Sequence, residues 1–420
     1  MNKYVLKISF LLLIICFQSK ASENRIFGFL GDWKASYHYN SPTGNQYDYM
    51  TDVVFSFILP QPDGSFEFDI NESTWYSRLT NLVTNAHNKG VKVHVSAGGW
   101  GSSNGQTGAG DPIHDLVIDP TKRAIFVDNV MNLIRDYDLD GFNMDWEYPA
   151  SSDNYELGKL LLELKKGINK LKTELSRNIE LSIAVSGGSY GSEAYTSQIT
   201  SVCDYVMIMA FDNQATSHST VNYAISTMDF WLNQKGIDKE QLILGIPFYS
   251  KGINTNYGSY AQFSNSDPAA YFNDADGSLN GYEYNSKPVI ESKLTEMKNR
   301  GGSGVFIWEI TEDRTDQYSL LKAIHGNLVS SQKTPNQLTN ISVFPNPLSN
   351  LLNFNLSDRN LLSQSLSYTI TDITGKNVQL GYLKEINNRV NIESINKAGI
   401  YFITIKNNSN ETATFKLVKR

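Results

Sequence analysis

The sequence predicts a (β/α)8 barrel followed by a small all-β sandwich. Between residues 26 and 324, short segments rich in β-branched and aromatic residues alternate with amphipathic helical patterns. Eight such β-rich segments occur, and about 250 residues or more is the length that eight β/α units require. Beyond residue 340, apolar and polar residues alternate with turn residues between the runs, which is typical of antiparallel sheets.

The eight predicted barrel strands share a short apolar run bounded by turn or helix signals. They cover residues 26–30, 53–58, 92–96, 141–145, 180–185, 205–210, 242–246 and 304–308. The competing α/β fold, an open doubly wound sheet, needs a glycine-rich phosphate-binding turn after its first strand. The segment GFLGDW at 28–33 does not supply that turn, so the sequence favours the barrel.

Helical spacing of apolar residues predicts the connections between these strands. The clearest helix follows the fourth strand, with apolar residues at helical spacing: Leu157, Leu160, Leu161, Leu164, Ile168 and Leu171. Asp119 and Pro120 predict an N-cap and first turn before another helix. The first connection, residues 34–52, shows no helical spacing, and we expect it to be irregular.

The N-terminal residues 1–21 predict a secretory signal peptide. Lys3 and Lys7 precede an apolar run at 8–17, and small residues flank a cleavage site after Ala21. The apolar run is too short to cross a bilayer, so no integral membrane span is predicted. Once the signal is removed only Cys203 remains, which excludes an internal disulfide in the mature chain.

The rest of the chain divides into a barrel domain at 22–329, a polar linker at 330–340 and the sandwich at 341–420. With 40% hydrophobic and 19% charged residues, the composition is that of a globular protein with a sizeable core. A net charge of -7 gives no support to a nucleic-acid partner. The six histidines show no metal-ligand spacing.

The segment LDGFNMDWEYP, at the end of the fourth strand, carries a row of polar residues. Successive side chains of a strand point to opposite faces, so Asn143, Asp145 and Glu147 share one face. At a barrel rim, Glu147 beside Asp145 and near Tyr148 should have a raised pKa and stay protonated near neutral pH. A carboxyl in that state can act as a general acid. The alternative interpretation is a buried hydrogen-bonded network at a strand end.

This segment resembles the signature of glycoside hydrolase family 18, the chitinase family, which reads D-x-x-D-x-D-x-E. Four further motifs resemble the family in order over residues 25–325: VHVSAGGW, MAFD, LGIPFYS and GGSGVFIWEITED. The resemblance implies a retaining reaction in which the substrate's own N-acetyl group is the nucleophile. Glu147 would protonate the glycosidic oxygen, and Asp145 would accept the acetamido N–H. The resemblance implies no metal or cofactor.

The resemblance also implies a set of substrate-binding residues at the carboxyl ends of the strands. They are Trp33, Ser96, Gly98, Trp100, Tyr148, Met209, Phe211, Asp212, Tyr249 and Trp308. Trp308 would form the apolar floor under the sugar, Tyr249 would donate a hydroxyl, and Asp212 would bind sugar hydroxyls. Trp33 and Trp100 would stack on sugar faces or anchor loops. Ser96, Gly98 and Gly99 would shape the wall behind Asp145, whereas Asp140 on the opposite face would be structural.

Two residues depart from the family pattern. Asn143 replaces an aspartate that normally shares a proton with the Asp145 position, and its amide can still donate a hydrogen bond to Asp145. We expect catalysis with an altered acid limb of the pH profile. Phe211 replaces a tyrosine whose hydroxyl binds the acetamido carbonyl, which predicts a lower rate unless Tyr249 compensates.

The segment from 251 to 288 is short and rich in Asn, Ser, Gly and Tyr, and does not resemble the complete α/β subdomain of processive members. We therefore expect a shallow groove and cleavage within chains. Chitin or N-acetylglucosamine oligosaccharides are the expected substrates. Two alternatives remain open, an endo-β-N-acetylglucosaminidase acting on N-glycans and a lectin-like chitin-binding protein with weak or no turnover.

The C-terminal domain resembles the sorting domain of the type IX secretion system. The shared features are FPNP, TGK, AGIYF and a basic end after a β-strand. The resemblance implies the type IX machinery as a partner and a secreted or cell-surface protein. The alternative is a carbohydrate-binding sandwich, which would favour a row of exposed aromatic residues, and the domain contains no tryptophan.

Overall fold

The structure is a computed structural model that describes ten ranges of the chain. They are residues 24–34, 43–103, 106–213, 218–252, 257–330, 341–345, 350–356, 365–395, 397–408 and 412–419. The predicted signal peptide at 1–21 and residues 331–340 of the predicted linker lie outside these ranges. The chain divides into two compact units, Met1–Leu328 and Val329–Arg420.

Eight parallel strands form a closed barrel in the first unit. They are β1 (Arg25–Gly31), β2 (Asp52–Pro60), β3 (Lys92–Gly98), β4 (Gly141–Asp145), β5 (Glu180–Ser186), β6 (Tyr205–Met209), β7 (Leu242–Pro247) and β8 (Gly304–Trp308). Each strand pairs with its neighbours in chain order, and β1 pairs with both β2 and β8, which closes the sheet. The barrel prediction is confirmed.

Helices surround the barrel. The α-helices of six or more residues are α1 (Glu72–His87), α2 (Pro112–Val117), α3 (Pro120–Asp136), α4 (Asn154–Leu175), α5 (Val221–Asp229), α6 (Pro268–Asn273), α7 (Lys287–Asn299) and α8 (Leu320–Ser330). Shorter α-helices, 3-10 helices and a π-helix cover Thr43–Tyr49, Trp100–Ser103, Ser151–Asp153, Ser197–Thr200, Phe230–Gln234, Lys239–Gln241, Tyr260–Phe263, Ser264–Ser266 and Ile310–Glu312. None of the helices in the described ranges has the length and apolar character needed to cross a bilayer.

Local sequence explains where the helices begin and which face they bury. The Asp119 side chain accepts a hydrogen bond from the backbone N–H of Thr121 at 2.8 Å, which makes it the N-cap of α3, as predicted. The six apolar residues predicted for the inner face of α4 are all buried. One expectation was wrong, because Thr43–Tyr49 forms a 3-10 helix within the connection that we expected to be irregular.

The alternation along β4 sorts its side chains into two layers. Met144 and Trp146 belong to the large core between barrel and helices, and the Trp146 indole N–H donates to Asp111 Oδ2 at 2.6 Å. Asn143 and Asp145 project the opposite way, into the barrel, and are 0% and 4% exposed. The row of polar groups therefore lies inside the barrel, as the strand periodicity predicts.

The amino end of the barrel interior is closed by a cluster of charged residues. Arg25 Nε donates to Asp52 Oδ2 at 2.7 Å, and Arg25 NH1 donates to Glu180 Oε1 at 3.0 Å. His94 Nε2 lies 2.9 Å from Asp52 Oδ1. Asp52, His94 and Glu180 lie close enough together to hold a metal ion. The guanidinium of Arg25, however, already pairs with both carboxylates, so we interpret the cluster as an ion-pair network.

The insertion between β7 and β8 is more ordered than the sequence predicts. It contains a small antiparallel sheet whose strands are, in spatial order, Tyr257–Ser259, Tyr249–Gly252, Tyr282–Glu283 and Ser278–Leu279. The helices Tyr260–Phe263 and α6 accompany this sheet. The segment is short, but aromatic packing among Tyr260, Phe263 and Tyr284 joins it to the main apolar core.

The second unit consists of two antiparallel sheets. One contains β9 (Ile341–Phe344), β10 (Leu351–Leu356) and β13 (Asn387–Asn391). The other contains β11 (Ser367–Asp372), β12 (Asn377–Tyr382), β14 (Gly399–Lys406) and β15 (Thr412–Lys419). Inward-facing residues of both sheets, such as Phe354 and Ile403, share one apolar cluster. The predicted all-β domain is confirmed.

Candidate active site

The amide of Asn143 is held between two neighbouring strands. Ser96 on β3 donates through Oγ to Asn143 Oδ1 at 2.8 Å, and Asn143 Nδ2 donates to Ser182 Oγ on β5 at 2.9 Å. The amide nitrogen also lies 3.5 Å from the sulfur of Met207. The sequence suggested that this amide would bond to Asp145, and that expectation was wrong. The amide is hydrogen-bonded to the serine hydroxyls of the flanking strands instead.

The backbone around Asp145 is fixed by two glycines at the end of β3. Gly99 N–H donates to the carbonyl of Asp145 at 2.7 Å. Gly98 has a φ of +109°, and a Cβ there would stand 2.1 Å from that same carbonyl oxygen. Glycine is therefore required for β3 to approach β4 this closely, and the predicted role of Gly98 as a wall behind Asp145 agrees with its position.

The carboxyls of Asp145 and Glu147 form a pair at the end of β4, in which Asp145 is buried and Glu147 is partly exposed. Burial, followed by the charge of Glu147, raises the pKa of Asp145 well above its usual range. Among the described residues, Asp145 Oδ1 is buried and has no hydrogen-bond partner. Burial raises the pKa of Glu147 to about 7. One of the two groups therefore carries a proton near neutral pH.

Glu147 follows β4 at the rim and has two partners that favour its ionised form. The side chain of Tyr148 and the backbone of Trp100 both hydrogen-bond to it. Tyr148 packs edge-on against Tyr190 with ring centroids 5.7 Å apart. Trp100 and Tyr190 are 56% and 69% exposed. These three aromatic residues lie near the Glu147 carboxyl, and the sequence predicted two of them, Tyr148 and Trp100.

Trp308, at the carboxyl end of β8, belongs to an aromatic group of four. Its ring stacks on Phe57 with centroids 5.7 Å apart and lies 5.7 Å from Phe29. Trp33 stacks on the same Phe57 at 6.3 Å and remains 44% exposed. Trp308 itself is partly exposed and lines the groove. A flat apolar surface of this kind suits the face of a pyranose ring.

Met209, Phe211 and Asp212 lie at the carboxyl end of β6, and Asp212 lines the same groove as Trp308. Met209 is buried in the barrel interior, and Phe211 is packed against that interior, with its ring centroid 5.9 Å from Phe306 and 6.2 Å from Tyr249. The Tyr249 hydroxyl donates to Asp212 Oδ2 at 2.6 Å. Burial alone would raise the pKa of Asp212, but hydrogen bonds with His218 and then Tyr249 hold it below its ordinary value.

An open groove of about 630 Å³ runs from Trp308 past these residues. Its lining is Lys34, Asp212, Tyr249, Tyr257, Gly258, Ser259, Gln262, Trp308, Thr311 and Glu312. Lys34 Nζ lies 2.7 Å from Glu309 and 3.8 Å from Glu312. Burial, assisted by the charge of Glu309, raises the pKa of Glu312 to about 7. The groove is thus polar and weakly acidic, with one aromatic wall.

Several residues in or near the groove were not predicted. They are Lys34, Tyr190, His218, Tyr257 and Glu312. Of these, Glu312 alone belongs to one of the motifs, GGSGVFIWEITED, and all five lie in connections that follow barrel strands. Asp140, in contrast, lies away from the groove, where it accepts from the backbone N–H of Val93 at 2.9 Å and contacts His87 at 2.8 Å. Those contacts agree with the structural role predicted for it.

Comparison with protein families gives two matches. Residues 25–313 match the family model described as "Glycosyl hydrolases family 18", and residues 342–420 match the model described as "Secretion system C-terminal sorting domain". The first match covers more than half of the chain and contains every candidate site residue named above.

Individual relatives are distant. "Probable chitinase 10" of Drosophila melanogaster is 26% identical over 349 residues, which are 66% of this chain but only 15% of that protein. "Endochitinase 1" of Metarhizium anisopliae is 22% identical over 296 residues, 60% of this chain and 68% of that protein. A solved GH18 chitinase from Cycas revoluta, in complex with allosamidin, has a TM-score of 0.62 at 19% identity and covers 72% of this chain and 99% of that one. At that identity the likeness shows the fold.

Proposed function

Because the chain belongs to glycosyl hydrolases family 18, we propose that it is a secreted chitinase that cleaves β-1,4-linked N-acetylglucosamine chains by a retaining, substrate-assisted mechanism. The observation that carries the proposal is the pair of acids formed by Asp145, buried at the end of β4, and Glu147, two residues beyond it at the rim. Both pKa values are raised, and that of Glu147 is about 7. A single proton shared over this pair suits general acid catalysis near neutral pH.

In the proposed first step, Glu147 donates its proton to the glycosidic oxygen. The acetamido oxygen of the sugar bound over Trp308 attacks the anomeric carbon, the bond from that carbon to the glycosidic oxygen breaks, and the rest of the chain leaves as an alcohol while an oxazolinium ion forms. Asp145 has a carboxylate oxygen without a partner among the described residues, and it accepts the acetamido N–H. That contact holds the nucleophile in place and balances the positive charge of the intermediate.

In the second step, Glu147 removes a proton from a water molecule whose oxygen attacks the anomeric carbon. The oxazolinium ring opens, and the anomeric configuration of the substrate is retained in the product. The raised pKa of Glu147 allows it to release and regain a proton at the same pH. Asn143 has no titratable carboxyl group, so within this row of residues the proton is shared between Asp145 and Glu147. Neither step uses a metal or a cofactor.

Sugar binding is assigned to the groove that passes Trp308. The indole face supports the reacting sugar, and Asp212 with Tyr249 binds its polar groups, since both line the groove and are hydrogen-bonded to each other. The exposed rings of Trp100 and Tyr190 provide stacking surfaces on the leaving-group side of Glu147. The open form of the groove favours cleavage within chains.

Turnover of chitotetraose tests the proposal. The unsubstituted protein should cleave it and release products with the β-configuration, and Glu147→Gln should lower kcat by about 100- to 10,000-fold. Glu174→Gln, at an exposed position on α4, is the matched control and should leave kcat unchanged. Products of inverted configuration would contradict the mechanism. An oligomer with a free amine on the reacting sugar should be cut far more slowly.

Two other functions are outcomes of the same assay. Release of glycan from a high-mannose glycopeptide, without cleavage of chitotetraose, would identify an endo-β-N-acetylglucosaminidase. Tight binding of chitotetraose with no hydrolysis would identify a lectin-like protein. Phe211, which lacks the hydroxyl implied by the family pattern, is the observation that favours the lectin, whereas the raised pKa of Glu147 favours an enzyme.

Export is assigned to the two ends of the chain. We propose that residues 1–21 direct transport into the periplasm and that the C-terminal domain, which matches a sorting-domain model, directs type IX secretion to the surface or medium. A chain that ends at Ser330 should hydrolyse chitotetraose normally but remain inside the cells of its native host. Recovery of that shortened protein from the culture medium would refute the assignment.

A further inference from the structure

A buried histidine lies directly behind Asp212. His218 is 0% exposed, its Nδ1 is 3.4 Å from Asp212 Oδ1, and the backbone N–H of Asp212 points at the same nitrogen at 3.3 Å. The imidazole also packs on the Tyr249 ring with centroids 4.7 Å apart. Among the described residues, Nε2 has no hydrogen-bond partner. The polar contacts of the ring are therefore directed at Asp212.

The segment that carries His218 is fixed from behind by a buried lysine. Lys293 on α7 is 0% exposed. It donates to the carbonyl and the hydroxyl of Ser219 at 2.7 Å each and to Asn285 Oδ1 at 2.5 Å. Three acceptors match the three N–H groups of an ammonium, and burial lowers the pKa of Lys293 to about 7. A buried amino group with every donor used is a rigid anchor.

Ser219 connects Lys293 to the barrel through hydrogen bonds. Its hydroxyl donates to the carbonyl of Ala210 at 2.7 Å, immediately after β6. Glu283, on the small sheet of the insertion, accepts the backbone N–H of His218 at 3.1 Å. His218 is thus held through its backbone by Glu283 and through its neighbour by Lys293. Its ring is left to act on Asp212 and Tyr249.

We propose that His218 is a positioning residue that accepts the backbone N–H of Asp212 at Nδ1 and thereby holds the Asp212 carboxylate against the Tyr249 hydroxyl and towards the sugar groove. The inference rests on the proposed function for the part that concerns the sugar. Asp212 has a positive φ of +56° and lines the groove, so the hydrogen bond to His218 fixes a backbone conformation that non-glycine residues adopt only rarely. The other charged or titratable groups around this carboxylate are Glu147, Tyr249, Tyr257, Tyr223 and Lys251.

Two substitutions of His218 separate positioning from mere packing. His218→Phe keeps the ring against Tyr249 but removes both nitrogens, whereas His218→Asn places an amide oxygen, which can accept, near the former Nδ1. With Phe, the backbone N–H of Asp212 loses its acceptor, the carboxylate is no longer held against the Tyr249 hydroxyl, and Asp212 becomes protonated at higher pH. The acid limb of kcat/KM for chitotetraose should then move to higher pH, and kcat/KM at pH 6 should fall about tenfold, the value of one hydrogen bond to a carboxylate. Asn should restore most of both.

The matched control is another histidine–aspartate pair. His87 lies 2.8 Å from Asp140 near the amino end of β4, and His87→Phe should lower the Tm without moving the pH profile. If the profile of His218→Phe superimposes on that of the unsubstituted protein, or if His87→Phe moves it equally, the inference is overturned.

A second readout needs no substrate. In the unsubstituted protein and in Asp212→Asn, the ¹⁵N chemical shifts of the His218 ring are compared at one pH, with His218→Phe used to assign the signals. Coupling predicts a change in the Nδ1 shift, and identical shifts overturn the inference. A changed shift together with no hydrolysis of chitotetraose would leave the His218–Asp212 pair standing and reject the proposed function instead.

Discussion

Ser96 on β3 donates through its hydroxyl to Oδ1 of Asn143 on β4 at 2.8 Å. The same amide donates from Nδ2 to Ser182 on β5, so its orientation is set by strands on both sides. Asp145, two residues further along β4, receives nothing from it. The acid–base behaviour of Asp145 is therefore governed by burial and by Glu147.

Asn143→Asp tests the first of these relationships. The new carboxyl would lie in a buried site beside Asp145, and the two acids would share a proton. We expect the acid limb of the pH–rate profile to change. The free energy of unfolding should fall by about 1–3 kcal/mol and fall further at pH 8 than at pH 5, because a raised pKa in the folded state penalises ionisation. Asn169→Asp, on the exposed face of α4, is the control. An unchanged pH–rate profile would show that Asn143 has no influence on the pair.

Tyr148→Phe tests the ionisation of Glu147. The Tyr148 hydrogen bond lowers the pKa of Glu147, which burial has raised to about 7. Without that bond, Glu147 should keep its proton to higher pH, and the alkaline limb of the pH profile of kcat should move to higher pH. Tyr155→Phe, which removes a hydroxyl from a 68% exposed residue, should leave the profile in place. An alkaline limb that moves to lower pH would mean that Glu147 is not the titrating acid.

Phe211→Tyr tests the missing hydroxyl. The Phe211 ring is partly buried against Phe306 and Tyr249, beside the groove in which the proposed reaction places the acetamido carbonyl. One added transition-state hydrogen bond should raise kcat/KM for chitotetraose by about tenfold or more. Phe230→Tyr, on the outer surface beyond α5, is the control. No gain in kcat/KM, with an unchanged Tm, would show that another donor already serves the carbonyl.

Arg25→Met tests the ion-pair network at the amino end of the barrel. Arg25 and His94 hold the pKa of Asp52 well below its usual range in spite of its burial, and Arg25 lowers that of Glu180. Without Arg25, the carboxylates of Asp52 and Glu180 lose the guanidinium that they share and keep His94 and Lys92, respectively. This loss should cost about 3–5 kcal/mol of unfolding free energy at pH 7.

The loss should depend on pH in a definite direction. A carboxylate with a lowered pKa contributes stability above its unfolded-state pKa and loses that contribution as the pH falls. Chemical denaturation should therefore show a smaller effect of Arg25→Met at pH 3.5 than at pH 7. Arg135→Met breaks an exposed pair with Glu174 and should cost about 0–1 kcal/mol. A deficit for Arg25→Met as small as that of this control would contradict the network.

The strands of the barrel could be predicted because their signals are local. A run such as 180–185 is short and contains the apolar residues Leu181, Ile183 and Val185 at alternate positions, and the structure extends it by one residue to Glu180–Ser186. The row Asn143, Asp145 and Glu147 could be predicted for the same reason, because the two-residue period of a strand fixes which side chains share a face. The 3-10 turn at Thr43–Tyr49 carries no such period, and it was missed.

The partners of the site could not be predicted. His218 contacts Asp212 from the far side of a loop. Lys34, which follows β1, forms ion pairs with Glu309 and Glu312, which follow β8. Lys293 hydrogen-bonds to Ser219 from a helix 74 residues further along the chain. Each contact depends on how loops turn after the strands end. No periodicity in the sequence encodes that direction.

The sequence by itself determined the barrel, the all-β domain and the face on which the two acids lie, because those properties follow from the spacing of side chains along single strands. Tertiary structure alone decided that Asn143 bonds to Ser96 and Ser182 rather than to Asp145, and that Asp212 has a histidine behind it. Closure of the sheet brings those groups within hydrogen-bond distance, and a buried polar group takes whichever partner lies in reach.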